Sequence, residues 1–225
     1  MNIIKSIRET LLVPIHPTGF PFIILCIILT FVFSLIWVHF FFPFLILTLW
    51  CIYFFSNPVR ITPHGDENVV SPADGKIIFV GEDKPPLELQ LPKNKYIRIS
   101  IFMNVFDVHV NRSPMSGKIL KKFYFPGKFL SADLDKASLE NERLGIVMKS
   151  FIGKTIGFVQ IAGLVARRIV CSVKENDTLK IGEEFGIIRF GSRVDVWLPV
   201  PVDIKIIQNQ ISICGETILA TFKKK

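Results

Sequence analysis

Ser192 stands directly behind a glycine in the stretch IIRFGSRVDVWLP, Ile187 to Pro199. A hydroxyl in that setting can turn a corner, or it can attack the carbonyl carbon just upstream. Glycine permits the second because it bends freely and leaves its carbonyl open to close approach. The flanks, Phe185–Phe190 and Val194–Leu198, are rich in β-branched and aromatic residues and read as two strands. A tight hairpin at Gly191-Ser192 is therefore the plain alternative. His109, in FDVHVNRSP, lies at the end of an apolar strand two residues after Asp107. Imidazole is the side chain that exchanges a proton near neutral pH, so His109 is either a base or a structural histidine. His16, His39 and His64 lie in a proline-flanked segment, the apolar run and a Pro/Gly loop. Asp74, in SPADGKI, reads on its own as a turn residue that bonds its own backbone. Arg167 and Arg168, in GLVARR, could hold a phosphate or form a solvated charge pair.

Several familiar chemistries are absent. FGSR is not the G-x-S-x-G elbow. There is no H-E-x-x-H, no P-loop and no dinucleotide fingerprint opening a helix. Cys26, Cys51, Cys171 and Cys214 form no C-x-x-C, so neither a metal site nor a redox motif is expected.

Something must hold these residues in place. From Ser56 onward, prolines and glycines separate short apolar runs: Val69–Val80, Tyr96–Met103, Lys118–Phe125, Ile146–Ile152, Thr155–Ile161, Arg168–Val173, the two flanks above, Val202–Ile207 and Glu216–Phe222. This spacing predicts a mainly β domain, barrel- or sandwich-like. One helix is expected, Ala132–Leu144, with Ser131 as its N-cap, and Gly81–Lys95 reads as a surface loop. Ahead of the domain, the 36 residues Phe20–Phe55 carry no Lys, Arg, Asp or Glu. That is too long for one upright helix, which needs about 20 residues. It predicts a transmembrane helical hairpin: Phe20–Ile36, a turn near Trp37–Pro43, then Phe44–Phe55. One tilted helix or a re-entrant loop is the alternative. Lys5 and Arg8 before the run and Arg60 after it put both flanks in the cytoplasm. Residues 1–19 read as an amphipathic cytoplasmic segment, with Ile3, Ile4, Ile7 and Leu11 on one helical face. The expected division is thus 1–19, 20–55 and 56–225. The net charge of +8 and mean hydropathy of +0.45 fit an anionic lipid surface better than nucleic acid, since no basic-aromatic platform is present.

From about Phe54 to its end, the chain resembles the short, bacterial-type phosphatidylserine decarboxylase proenzymes, which depend on a pyruvoyl group. The resemblance rests on FFSNPVRITP, VVSPADGKI, FDVHVNRSP, FVQIAGLVARRIVCSVKENDTLKIGEEFGIIRFGSRVDVWLP and CGETILA. It implies self-cleavage between Gly191 and Ser192. Ser192 Oγ attacks the Gly191 carbonyl, and the resulting ester undergoes β-elimination. Ser192, now dehydroalanine, tautomerises and loses ammonia to leave a covalent pyruvoyl cofactor. The products would be a β chain, 1–191, and an α chain, 192–225. Phosphatidylserine would condense with the pyruvoyl group as a Schiff base and lose CO2 to give phosphatidylethanolamine.

The resemblance also implies an Asp-His-Ser set for cleavage, with Asp74 as the aspartate. Long-form relatives carry two histidines in D-Y-H-x-V-H. Here His109 falls on the first, assigned to decarboxylation, and Arg112 on the second, assigned to cleavage. His109 then serves both steps or another group assists, and Asp107 either orients His109 or ends its strand. The implied partners are phosphatidylserine, the membrane lipid surface and the two chains of one proenzyme, with homo-oligomerisation left open and no nucleic acid. The implied location is the inner face of the cell membrane, where Lys121, Lys122, Arg167 and Arg168 are candidates to meet anionic lipid. Two rivals remain: the same chemistry on a related serine lipid such as archaetidylserine, and a non-enzymatic lipoyl-like β module.

Overall fold

The computed structural model describes residues 13–127, 140–163, 168–189 and 191–223. Residues 1–59 and 60–225 form two compact units. The first is a helical hairpin. A 3-10 turn, Pro17–Gly19, leads into α1 (Phe20–Ile36), and a second, Val38–Phe40, turns the chain into α2 (Phe41–Phe54). The second helix starts three residues before its expected position. Pro43 does not bound it but sits in its first turn, where backbone N–H groups have no intrahelical acceptor. Phe33 stacks on Phe44 at 4.4 Å between centroids. The buried hydroxyls of Thr30 and Thr48 meet at 3.0 Å, and each also donates to the carbonyl four residues back. Apolar side chains such as Ile28, Phe31, Leu35 and Leu49 face outward. Pro17–Ile36 is long and apolar enough to cross a membrane, and Val38–Phe54 is a shorter apolar helix. Both ends of the hairpin meet: His16 N–H donates to the Phe55 carbonyl at 2.8 Å and Asn57 N–H to that of Pro14 at 2.6 Å. The proposed amphipathic face of residues 3–11 lies outside the described residues.

The second unit is mainly β, as expected. Its strands are β1 (Asn68–Val70), β2 (Gly75–Glu82), β3 (Tyr96–Met103), β4 (Val110–Arg112), β5 (Gly117–Phe125), β6 (Arg143–Ser150), β7 (Thr155–Ala162), β8 (Ile169–Cys171), β9 (Thr178–Leu179), β10 (Glu184–Ile188), β11 (Ser192–Pro199), β12 (Asp203–Ile204), β13 (Ile211–Ser212) and β14 (Ile218–Thr221). A curled eight-stranded sheet runs β13-β2-β3-β11-β7-β6-β5-β9. Two three-stranded sheets, β1-β14-β12 and β4-β10-β8, complete the unit. The expected run Val69–Val80 splits in two. Pro72 cannot donate to a ladder, and Gly75 turns the chain at φ +139°. Most of the expected helix Ala132–Leu144 lies outside the described residues, but its last two residues belong to β6.

Strand β11 is central. It pairs antiparallel with β3 on one side and β7 on the other, and all eight of its residues are buried. Val194, Val196 and Leu198 enter the main core with Ile99, Ile101 and Phe158. The alternate residues point the other way. Trp197 packs with Tyr96, Val159 and Ile161, while Arg193 and Asp195 form a fork of two hydrogen bonds, both 2.7 Å. Buried charges survive only when matched in this way.

Asp195→Ala is therefore expected to destabilise the protein by about 3–5 kcal/mol, because it removes the carboxylate that forks onto the buried Arg193 guanidinium. Replacing both residues with apolar ones of similar volume should cost far less. The two denaturant midpoints, measured side by side, test this.

Candidate active site

Gly191-Ser192 does not close a hairpin. Strand β10 pairs with β4 and β8, whereas β11 lies in the large sheet, so the dipeptide marks the passage from one sheet to another. The β-branched and aromatic flanks left a hairpin open because composition marks a strand, not its pairing partner. Gly191 adopts φ +62°, a left-handed conformation that suits glycine. Ser192 is the first residue of β11, opposite Met103 and Ala162. Its hydroxyl is buried and lies 3.9 Å from the Met103 thioether, a weak acceptor.

His109 immediately precedes β4, which pairs with β10. This places the ring beside Gly191, whose N–H reaches His109 Nε2 at 3.2 Å. On the other side of the ring, Nδ1 lies 2.8 Å from the Asp107 carbonyl oxygen. A carbonyl only accepts and an amide N–H only donates, so Nδ1 carries the proton and Nε2 presents its lone pair. The imidazole is neutral, and burial lowers its pKa to about 4, against a smaller opposing effect of the Asp107 carbonyl. Asp107 thus orients His109 through its backbone. Its carboxylate does something else: it accepts the Asn104 N–H at 2.8 Å and closes a tight turn.

Asp74 precedes β2. At Gly75, an added Cβ would collide with the Phe102 carbonyl oxygen, so glycine lets β2 start tightly against the end of β3. Met103, opposite Ser192, is the next residue. The Asp74 carboxylate takes 2.5 Å from Arg60 Nη2 and 2.6 Å from the Cys214 N–H. Burial raises its pKa, and these two donors only partly offset that. Burial also raises Asp107, with the charge of Asp74 adding to it. His109 and Ser192 are thus brought together around Gly191, whereas Asp74 bonds to Arg60 and Cys214 rather than to either. Arg112 Nη1 donates to the Gly182 carbonyl at 3.1 Å, and its side chain lies against Gly215. The Cys214 thiol is pushed up to about 12, mainly by burial, so it stays protonated and is no nucleophile.

Three participants escaped the sequence reading. Gln160 Nε2 donates to Asn111 Oδ1 at 2.7 Å, and Asn111 Nδ2 lies 3.6 Å from the same Met103 sulfur that Ser192 touches. Both amides are fully buried. The available signals were a Gln inside the apolar run FVQIA and an Asn alternating with His109 in VHVN. Arg60, counted only as a flanking charge, is the partner of Asp74. A cavity of about 500 Å3, lined by Glu82, Asp83, Lys95 and Tyr96 among others, lies at the opposite ends of β2 and β3 and takes no part in this site.

The buried neutral imidazole has a consequence for stability. The unfolded chain takes up this proton near pH 6.5, and the folded chain only near 4. Stability from this group is thus intact above about pH 6.5 and falls as pH drops toward 4, by roughly 3 kcal/mol in all. Asp74 and Asp107, whose values are raised, contribute with the opposite sign on acidification. The difference between wild type and His109→Asn, which cannot take the proton, isolates the histidine. Unfolding midpoints between pH 7 and 4 should converge as pH falls, and parallel curves would mean that the imidazole does not stay neutral.

A family profile described as phosphatidylserine decarboxylase matches residues 47–220. The match covers every residue of the site, from Arg60 through Asp74, His109 and Ser192 to Cys214. The chain belongs to the phosphatidylserine decarboxylase family.

Proposed function

We propose that this decarboxylase matures by cutting its own chain between Gly191 and Ser192, and that the residue left at position 192 becomes a pyruvoyl group. One observation carries the reading: His109 Nε2, held as an acceptor by the Asp107 carbonyl, lies on the amide of the glycine that opens the scissile bond. The Ser192 hydroxyl gives up only a thioether contact when it reacts. In this mechanism His109 leaves the Gly191 N–H for that hydroxyl. Once there it can accept the hydroxyl proton as Oγ attacks the Gly191 carbon, then return it to the departing Ser192 nitrogen. The ester so formed breaks at the Ser192 Cβ–O bond after loss of the α-proton, leaving a carboxylate on Gly191. Water then releases ammonia. A terminal acyl group fits position 192, since no strong hydrogen bond of the side chain is lost there.

At position 192 a pyruvoyl group would supply an electrophilic carbonyl able to take the substrate amine and to accept the electron pair released with CO2. His109 remains beside that position to hold and return a proton. With Arg112 engaged at Gly182, His109 is the imidazole for both stages. The hairpin of α1 and α2 would anchor the catalytic unit to the membrane that holds its lipid substrate. Lys5, Arg8 and Arg60 would keep both ends in the cytoplasm.

Intact mass of purified protein tests maturation. Two chains are expected, 1–191 and a 34-residue fragment from 192 to 225 that resists Edman sequencing. Ser192→Ala should stay whole and inactive, and His109→Ala should slow both cleavage and turnover by about 10²–10⁴-fold. An active wild-type sample consisting of one uncut chain would sink the proposal. For topology, reporter fusions after residues 15 and 60 should both read as cytoplasmic. A periplasmic signal from the second would mean a single span.

A further inference from the structure

Strands β8 and β10 pair antiparallel with Ile188 opposite Ile169. The ladder runs one step further, because Arg189 N–H donates to the Arg168 carbonyl at 3.4 Å. Arg168 and Arg189 are therefore directly opposite, and directly opposed side chains share a face with their Cβ atoms about 5 Å apart. The neighbouring pair, Ile169 and Ile188, faces the core. Alternation turns both arginines away from it. Arg168 is exposed and Arg189 half-buried. Like charges opposed across a ladder repel. Burial, and after it the Arg168 charge, lowers the Arg189 pKa, so its cation is harder to hold there than in water. Glu142 contributes a carboxylate nearby, but it accepts the Ile169 N–H at 3.3 Å and bonds the Tyr124 hydroxyl. Tyr124 is also within electrostatic reach of Arg168.

Two forks of N–H donors brought side by side against their mutual repulsion suit a ligand with several anionic oxygens. Their position gives its identity. Arg189 lies two residues before Gly191, at most ~7 Å along the chain. In a phosphoserine head group, four bonds separate the reacting amine from phosphorus. A serine whose amine is at position 192 thus carries its phosphate to about the distance that a long arginine side chain covers.

We propose that Arg168 and Arg189 bind the phosphodiester of the substrate head group. This assigns a subsite to the reaction proposed above and rests on Ser192 being the reactive position. The same chemistry would attract free phosphate or the phosphates of neighbouring lipids, and the test separates these.

Glycerophospho-L-serine is a soluble probe with the phosphodiester and no acyl chains. In the processed enzyme, Arg168→Gln and Arg189→Gln should each raise its KM roughly 10- to 100-fold, the loss of one charge-assisted hydrogen bond, with kcat changed little. Arg168→Lys, which keeps the charge without the fork, should fall between. An unchanged KM in both Gln variants overturns the proposal. So does a KM that holds while sedimentation with phosphatidylglycerol vesicles drops, since the arginines would then serve the leaflet. Inorganic phosphate that inhibits wild type and variants equally points elsewhere and also overturns it. Arg189 is close to the cleavage point, so a second measurement avoids processing. In uncut Ser192→Ala protein, the 31P line of glycerophospho-L-serine should broaden, and the added Arg168→Gln and Arg189→Gln changes should abolish this. Broadening that survives both overturns the site. Should the processed enzyme not turn over the probe while the uncut chain still binds it through the arginines, the subsite stands and the assignment of Ser192 falls.

Discussion

The double-sided pairing of β11 is the constraint on which the site depends. A strand hydrogen-bonded along both edges, with every side chain buried, cannot slide or twist without breaking two ladders at once. Its first residue is therefore held about as firmly as any atom in the unit. The residue before it belongs to no ladder. Gly191 carries the chain from one sheet to another in a left-handed conformation. A fixed hydroxyl behind a compliant carbonyl is what an intramolecular attack needs, since the nucleophile stays in place while the acyl carbon adjusts. The Arg193–Asp195 fork, one residue further on, adds rigidity of a second kind by tying β11 to itself on the face away from the main core.

The small sheet β4-β10-β8 supplies what the large one cannot. It holds His109 just ahead of its first strand, ends its middle strand shortly before Gly191, and sets the ring between a carbonyl and an amide. Those two neighbours decide the tautomer, and burial decides the charge. No carboxylate is needed for either task. That frees Asp107 to close its turn and leaves Asp74 to Arg60 and Cys214. A neutral imidazole in a dry setting is a weak base and a reluctant cation, so any proton it accepts is passed on readily.

Much of this was legible in the sequence, and the exceptions share a cause. The runs Tyr96–Met103 and Thr155–Ile161 emerged as β3 and β7 nearly to the residue, because buried strands are continuous apolar segments bounded by turns. The uncharged run Phe20–Phe55 emerged as two helices for a similar reason. What failed were statements about partners. The flanks of Gly191-Ser192 left a hairpin open, yet their ladders go to β3, β4, β7 and β8, up to about 100 residues away in the chain. Asp107 was open between orienting His109 and ending its strand, because a backbone carbonyl that does the orienting leaves no mark in residue type. Arg189 was passed over because its meaning comes from Arg168, which opposes it only after β8 and β10 have paired. Periodicity reports burial, whereas chemistry at a site depends on contacts between distant segments.

The bond between Asp74 and the Cys214 amide joins residues on opposite sides of Gly191-Ser192, as do the ladders of β11, the pairing of β1 with β14 and that of β2 with β13. Before cleavage these are contacts within one molecule. If the chain is cut as proposed, they become an interface between two. The chain therefore folds in a first-order process, but a mature molecule once opened would have to reassemble in a second-order one, against dilution and without the covalent loop that first brought β11 between its neighbours. Maturation would work as a ratchet: the enzyme persists through a high barrier to unfolding, and its lifetime is set by a rate rather than by an equilibrium.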